Sequence, residues 1–430
     1  MVGWVVLDFE VKADRRIRWH VIYKDTSCDF ALVPVALPSG VQTVFSQIAS
    51  VIYPSELDRC AKAFPTKRVP RNFSHYDHFL ALCFAQLTFR HSLRDIVCSL
   101  LSRSDRLYQM GFRGTISRTN LAYANEHRDW QFFCAVAQVL MRRAGRLYQF
   151  ESAGGEFANV AFALDSSIIA LSLKLFPWGY YARSRRAALK LHLMLCLQGN
   201  VPAWGAVTEA DFPDMKMLDH IPLQPGAWYI MDRGYLDFGR LWRIDRGGAW
   251  FVVRSKAHVR YVVLQSLSPP KKTRDLAIVS DQRVQLQTPW SKRSYPAPLR
   301  KVVVFVPKEK RTLEILTNNL SVDALDIAQF YKSRWQVELF FKWIKQHLRI
   351  RSFFGRSQNA VRCQVWSAIC AYLIVAIVRK TLNIEKSLYE LLQVISVNPF
   401  ENQGLYELSQ NKPPKQISPD FQNSFVFNEN

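Results

Sequence analysis

Acid is what this sequence is short of. Asp and Glu number 35 against 57 Lys and Arg, a formal charge of +22 over 430 residues with a pI near 9.8. So large an excess favours a polyanionic partner, most often nucleic acid and less often an anionic membrane. Paired cysteines are missing too. The eight cysteines stand at 28, 60, 83, 98, 134, 196, 363 and 370, with no C-x-x-C pair and no Cys/His cluster of zinc-finger spacing. That argues against the common zinc modules. Cys98, Cys134, Cys363 and Cys370 lie among apolar residues and are expected to be small buried hydrophobes in a reducing cytoplasm. No signal peptide is expected, since the apolar stretch 2–6 is short and acidic residues follow. The best membrane candidate, 365–378, runs fourteen residues between Arg362 and Arg379. Crossing a bilayer takes about 20, so a core helix is expected. No internal repeat is visible.

What is present is enough for a large core. Hydrophobic residues make up 49% and charged residues 21%, and the length suits about three domains, or two with insertions. Residues 1–43 mix charged and apolar residues without a sustained period and form an atypical N-terminal extension. Residues 44–150 are expected to be helical, with apolar residues three and four apart over 44–51, 75–89, 92–101, 117–126 and 130–148. Ser92 and Ser117 are candidate N-caps. The polar, basic start Ser117-Arg118-Thr119-Asn120 suits a helix-turn-helix-like DNA reader, with Arg118 a DNA contact. A helical bundle with solvated basic faces fits the same pattern.

Residues 155–255 change period. Three strand-like runs, a short helix, a strand, a helix and a strand follow in order, with Gly199-Asn200 as a tight turn. That order is the one an RNase H-like core needs, continued by long helices over 317–397. Between them, 256–316 is strand-and-turn material. Residues 254–311 hold fourteen Lys/Arg against three Asp/Glu, half of the chain's excess charge, beside Tyr261, Trp290 and Tyr295. Such a mixture suits a surface that tracks a nucleic-acid backbone, or a solvated β-rich insertion. The tail 398–430 has weak periodicity and is expected to lack order. The expected fold class is therefore α/β: an RNase H-like mixed-sheet core with a β-rich insertion, an N-terminal helical domain and C-terminal helices.

Three acids stand out. Asp165 follows the apolar run 160–164 and precedes Ser166-Ser167. Asp232 closes the run 228–231 and precedes Arg233-Gly234-Tyr235. Burying an unpaired carboxylate is costly, so each is either a turn or cap residue, paired with a cation, or bound to metal. The third lies in 331–345, which holds no Gly or Pro. On a helix at about 100° per residue, Arg334, Glu338 and Lys345 fall at about 300°, 340° and 320° from Tyr331, one stripe of about 60°. Aromatic and aliphatic residues cover most of the rest. A single carboxylate among cations on a mostly apolar helix suits a metal-and-phosphate site. Two Mg²⁺ ions about 3.5–4 Å apart can activate a water or 3′-hydroxyl and stabilise a leaving oxygen. Carboxylate oxygens are the ligands they take.

The Y-x2-R-x3-E-x6-K pattern at Tyr331, Arg334, Glu338 and Lys345 resembles the signature of the IS-four family of DDE insertion-sequence transposases. Asp165-Ser166-Ser167 and Asp232-Arg233-Gly234-Tyr235 resemble its first-acid and second-acid motifs. Leu175-Phe176-Pro177-Trp178 and Lys190-Leu191-His192 extend the similarity, which spans roughly 44–397. The resemblance implies an RNase H-like core and Mg²⁺ held by Asp165, Asp232 and Glu338, with Mn²⁺ able to substitute. It implies Tyr331, Arg334, Lys345 and Arg233 on the DNA side. It also implies binding of terminal inverted repeats, cleavage at the element's ends, and joining of 3′-hydroxyls to target DNA. The work is expected of a homodimer on paired ends, in the bacterial cytoplasm and at the nucleoid, away from membranes. Rival readings fit less of the sequence: the same fold without the reaction, a structure-specific nuclease, and a membrane-surface protein.

Overall fold

The structure is a computed structural model that describes residues 6–10, 18–22, 42–66, 72–151, 159–181, 186–267 and 276–410. Within the atypical first 43 residues it shows one antiparallel hairpin, Val6–Glu10 paired with Arg18–Ile22. Six helices follow: α1 (Val44–Ala49), α2 (Pro54–Ala63), α3 (His75–Leu87), α4 (Leu93–Leu101), α5 (Arg118–His127) and α6 (Gln131–Tyr148). Ser92 and Ser117 cap α4 and α5 as expected, each hydroxyl accepting a backbone N–H three residues on. Helix α2 was not expected. It buries only Glu56, Leu57 and Cys60, too few apolar positions to show a period, and Pro54 at its first position sets its start. Cys98 corrects another expectation, because it is exposed. The buried side of α4 is Ile96 and Leu100, one turn apart, and Cys98 lies halfway round the helix from it.

The stretch from 161 to 254 supplies five longer strands: β1 (Ala161–Leu171), β2 (Arg186–Cys196), β3 (Val201–Glu209), β4 (Trp228–Met231) and β5 (Trp250–Arg254). β2 pairs antiparallel with β1 and β3, β4 lies parallel to β1, and β5 lies parallel to β4. The order β3-β2-β1-β4-β5 is that of an RNase H-like sheet. Gly199 and Asn200 both take positive φ, +77° and +53°, as the primed turn between β2 and β3 requires. Helix α7 (Phe238–Arg246) makes the crossover from β4 to β5.

The basic insertion supplies β6 (Tyr261–Ser266), β7 (Ala277–Leu286), α8 (Pro289–Ser294), β8 (Leu299–Val306) and β9 (Arg311–Thr317). β9 pairs antiparallel with β5, then β8, β7 and β6 follow outward. With the short pair Tyr180–Tyr181 beyond β2, the sheet reaches ten strands. The insertion therefore continues the core sheet edge to edge.

The chain ends in α9 (Ala324–Ser333), α10 (Trp335–His347), α11 (Gln358–Thr381), α12 (Leu388–Val397) and α13 (Leu405–Ser409). α11 contains the fourteen-residue apolar run and extends it to 24 residues. It is long and apolar enough to cross a membrane, but its apolar window is wholly inside the protein. An all-apolar helix must find partners on every side, and α11 packs against α6, α3, α5 and β3. Tyr372 donates to the carbonyl of Asn200 at 3.1 Å, and Tyr148 of α6 donates to that of Ala376 at 2.9 Å. The tail expectation needs correction over 398–410. There α13 forms, and the N–H groups of Val44 and Phe45 donate to the carbonyls of Glu401 and Pro399. Residues 411–430 lie outside the described set.

Candidate active site

Asp165 sits within β1, opposite Leu193 of β2 and one residue past the last β1–β4 pair, Leu164 with Met231. The expectation of a strand end holds only on the β4 side, where the ladder stops and leaves the carboxyl facing the open end of the sheet. Asp232 follows β4 and caps the turn Arg233–Tyr235, accepting the Gly234 N–H at 2.7 Å. Glu338 lies in the first turn of α10, the helix that packs over β1 and β2.

Asp165 feels the charge of both other acids. Burial pushes Asp165 up from 3.8 to about 6. The Ser166 N–H and the Arg334 guanidinium pull it down, while the negative charges of Asp232 and Glu338 push it up further. Tyr235, buried behind them, is raised well above its ordinary value by burial and then by Asp214, Asp165 and Asp232.

The cations also converge. Arg334 stands between two acids, with one guanidinium nitrogen 3.3 Å from Asp165 Oδ2 and the other bonded to Glu338 Oε1. Lys345 Nζ donates to Ser167 Oγ at 2.5 Å. The Tyr331 ring centre lies 5.9 Å from the Arg334 guanidinium carbon. Burial raises the Tyr331 phenol, Arg334 and Arg254 oppose this, and Asp232 adds to it. The segment 331–345 is not one continuous helix. It breaks at Arg334, which separates α9 from α10. Trp335 and Leu339, expected among the buried residues, are 55% and 40% exposed. Arg233 is exposed beside Asp232, and Arg118 is the exposed first residue of α5 in the helical region, outside the cleft.

A cleft of about 360 Å³ is lined by Asp165, Ser167, Glu338, Lys342, Lys345 and Arg351, among others, but not by Asp232, Arg334 or Tyr331. Lys342 and Arg351 were not singled out from the sequence. Nor was Asp214, whose Oδ1 accepts from Ser166 Oγ at 2.7 Å and Lys190 Nζ at 3.3 Å and lies 3.6 Å from His192 Nδ1. The Lys190-Leu191-His192 motif thus places a cation and an imidazole against an acid that carries no motif of its own.

Three carboxylates are the donors a hard dication takes, but their spacing in this arrangement does not suit one. Among the described residues, no three His, Cys, Asp or Glu side chains stand close enough together to hold a metal ion. The Arg334 guanidinium fills the gap between Asp165 and Glu338 instead.

Residues 156–374 match the model of the transposase DDE domain family, and 41–113 match a domain of unknown function. A Sinorhizobium fredii protein named as a transposase is 32% identical over 252 residues, covering 58% of this chain and 69% of that one. An insertion-sequence protein of Geobacillus stearothermophilus, also named as a transposase, is 29% identical over 211 residues, 49% of this chain and 54% of that one. One from Synechocystis is 22% identical over 268 residues, covering 62% and 73%. Among solved structures, a piggyBac transposase synaptic complex with hairpin DNA aligns at a TM-score of 0.40 and 8% identity, over 87% of this chain and 80% of that one.

Proposed function

The chain belongs to the transposase DDE domain family, and from that premise we propose that it binds the terminal inverted repeats of an insertion sequence, cleaves DNA at the element's ends and joins the 3′-hydroxyls to target DNA. It is a DDE transposase of the insertion-sequence type, and such enzymes depend on a divalent metal, Mg²⁺ as a rule. The motif Tyr331, Arg334, Glu338, Lys345 assigns it to the IS-four branch.

One observation carries the reading. Asp165 and Glu338, from distant parts of the chain, line one cleft with Lys342, Lys345 and Arg351, and Arg334 reaches both carboxylates. Acids within a basic wall suit a phosphodiester held by its phosphates and attacked between them. Asp165, Asp232 and Glu338 are the catalytic acids. The divalent ion such enzymes use would supply an activated nucleophile and charge stabilisation at the leaving oxygen, and Asp165, Asp232 and Glu338 would be its ligands once drawn closer together. Lys345, fixed by Ser167, holds a flanking phosphate, with Arg334, Arg233 and Tyr331 along the same strand. Residues 44–150 read the inverted repeat, with Arg118 leading the helix that enters the groove, and the basic strands β6 to β9 track the flanking duplex. The protein acts as a homodimer on paired ends, on DNA in the bacterial cytoplasm.

The test is strand transfer from a precut element end with a free 3′-hydroxyl. Asp165→Ala, Asp232→Ala and Glu338→Ala should each abolish joining and keep end binding. Joining that survives in any of the three overturns its catalytic role, and loss of end binding in all three makes the cluster structural.

A further inference from the structure

We propose that Asp214 is a positioning residue for the joining reaction: from the far face of the sheet it holds Ser166, and through Ser166 it sets the direction of the Asp165 carboxyl. The inference rests on the reading of Asp165 as a catalytic acid. Asp214 does not line the cleft, whereas Asp165 and Ser166 both do, so its part is played through them.

The β1–β4 ladder ends at Leu164 with Met231. From Asp165 onward β1 keeps β2 as its strand neighbour and has none on the other side among the described residues. Side chains alternate along a strand. Asp165 and Ser167 reach Arg334 and Lys345, so Ser166 between them points the opposite way, and there it meets Asp214. Its hydroxyl donates to Asp214 Oδ1 at 2.7 Å, and its N–H donates to Asp165 Oδ1 at 2.8 Å. Ser166 is thus bonded to both acids, and a swing of this residue would carry the Asp165 carboxyl with it.

Asp214 is itself held firmly. Lys190 Nζ lies 3.3 Å from Oδ1 and also donates to the Phe212 carbonyl at 2.8 Å. The Lys190 side chain is only 12% exposed, so this pair is screened less than a surface one. His192 is buried and walls off the same oxygen, with Nδ1 3.6 Å away. It adds no hydrogen bond. Its Nε2 donates to Thr208 Oγ1, whose own proton goes to the Glu209 carbonyl, and Nδ1 is left bare. Oδ2 lies against the turn that follows β4, where a Cβ on Gly234 would stand 3.7 Å from it. An acid so fixed is a rigid anchor, and reacting groups need such support to keep their working geometry. If Asp214 served only to neutralise Lys190, the Ser166 hydroxyl would be dispensable.

The experiment measures single-turnover joining by the full chain from a precut end with a free 3′-hydroxyl, at saturating DNA, beside a titration of end affinity. Ser166→Ala deletes one hydroxyl and leaves the Lys190–Asp214 pair in place. Its joining rate should fall at least roughly tenfold, since a small misplacement of a reacting group costs up to about a hundredfold. End affinity should stay as in wild type. Ser166→Thr, which keeps the hydroxyl, should recover most of the rate. Asp214→Ala should lose at least as much as Ser166→Ala. The double variant should lose no more than Asp214→Ala alone, because both changes cut one chain of contacts. Thermal melting identifies any variant that fails to fold, and should Asp214→Ala be one, Ser166→Ala and Ser166→Thr decide alone. Wild-type joining by Ser166→Ala overturns the proposal, as do losses that multiply in the double variant. So does a Ser166→Ala defect in end affinity, which would make Ser166 a DNA contact. If Asp165→Ala abolishes joining while Ser166→Ala joins like wild type, only the positioning role has failed. If Asp165→Ala still joins, the assignment of the catalytic acid has failed.

Discussion

Replacing Asp165 by Asn should make the metal-free protein more stable while ending its chemistry. The folded chain holds this carboxyl at about 6, against 3.8 ordinarily. Keeping it ionised at neutral pH therefore costs at most about 3 kcal/mol, at about 1.36 kcal/mol per pH unit. The side chain is 20% exposed, and solvent screening trims the figure to about 1–3 kcal/mol. Asn can still accept the Ser166 N–H, and Arg334 keeps Glu338, so the variant loses little besides the charge. The sign follows from linkage. A carboxyl raised on folding favours the folded state while protonated, so wild type and variant should be alike below about pH 4. Wild type should then lose ground as pH rises from about 4 to about 6, and the gap should be fully open at pH 7. Urea unfolding in EDTA at pH 7 and pH 4 reads this directly, provided both proteins give the same slope. A variant no more stable than wild type at pH 7, or a gap of equal size at pH 4, refutes the reasoning.

Lys345→Ala should weaken duplex binding and reduce the salt slope of the affinity by about 1, as expected for one lost phosphate contact. An unchanged slope removes Lys345 from the DNA side. Native labelling with a maleimide should modify Cys98 and spare Cys134, Cys363 and Cys370, because those three are buried and burial pushes the Cys134 thiol up to about 12 and raises the other two well above the ordinary value. Adduct at Cys363 in the native state, read by mass spectrometry, would mean that α11 is not enclosed.

Much of this was legible because it is local. The helices from α3 to α6 announce themselves by period and by caps such as Ser92 and Ser117. The β2–β3 turn announces itself through Gly199-Asn200, whose backbone few other pairs adopt. Motifs marked the three acids, and the structure sets Asp165 and Glu338, but not Asp232, along one cleft. What was not legible is what only packing decides. The break at Arg334 comes from no Gly or Pro. Trp335 and Leu339 are exposed where helical arithmetic put them inside. The extension of the sheet through β5 to β9 is a pairing between strands far apart in sequence, and no local pattern encodes a partner. Asp214 stayed hidden because its significance lies in Ser166, Lys190 and His192, which meet it only after folding.

The burial of α11 also orders events during synthesis. Helices α1 to α6 leave the ribosome more than two hundred residues before α11 is complete, yet α11 is the apolar rod about which α3, α5 and α6 pack. Until it arrives, Phe133, whose carbonyl accepts from the Cys370 thiol of α11, lacks part of the packing that encloses it in the finished protein. The clasp of Val44 and Phe45 to Glu401 and Pro399 comes later still. A polypeptide cut short before residue 358 therefore lacks the helix against which α3, α5 and α6 pack.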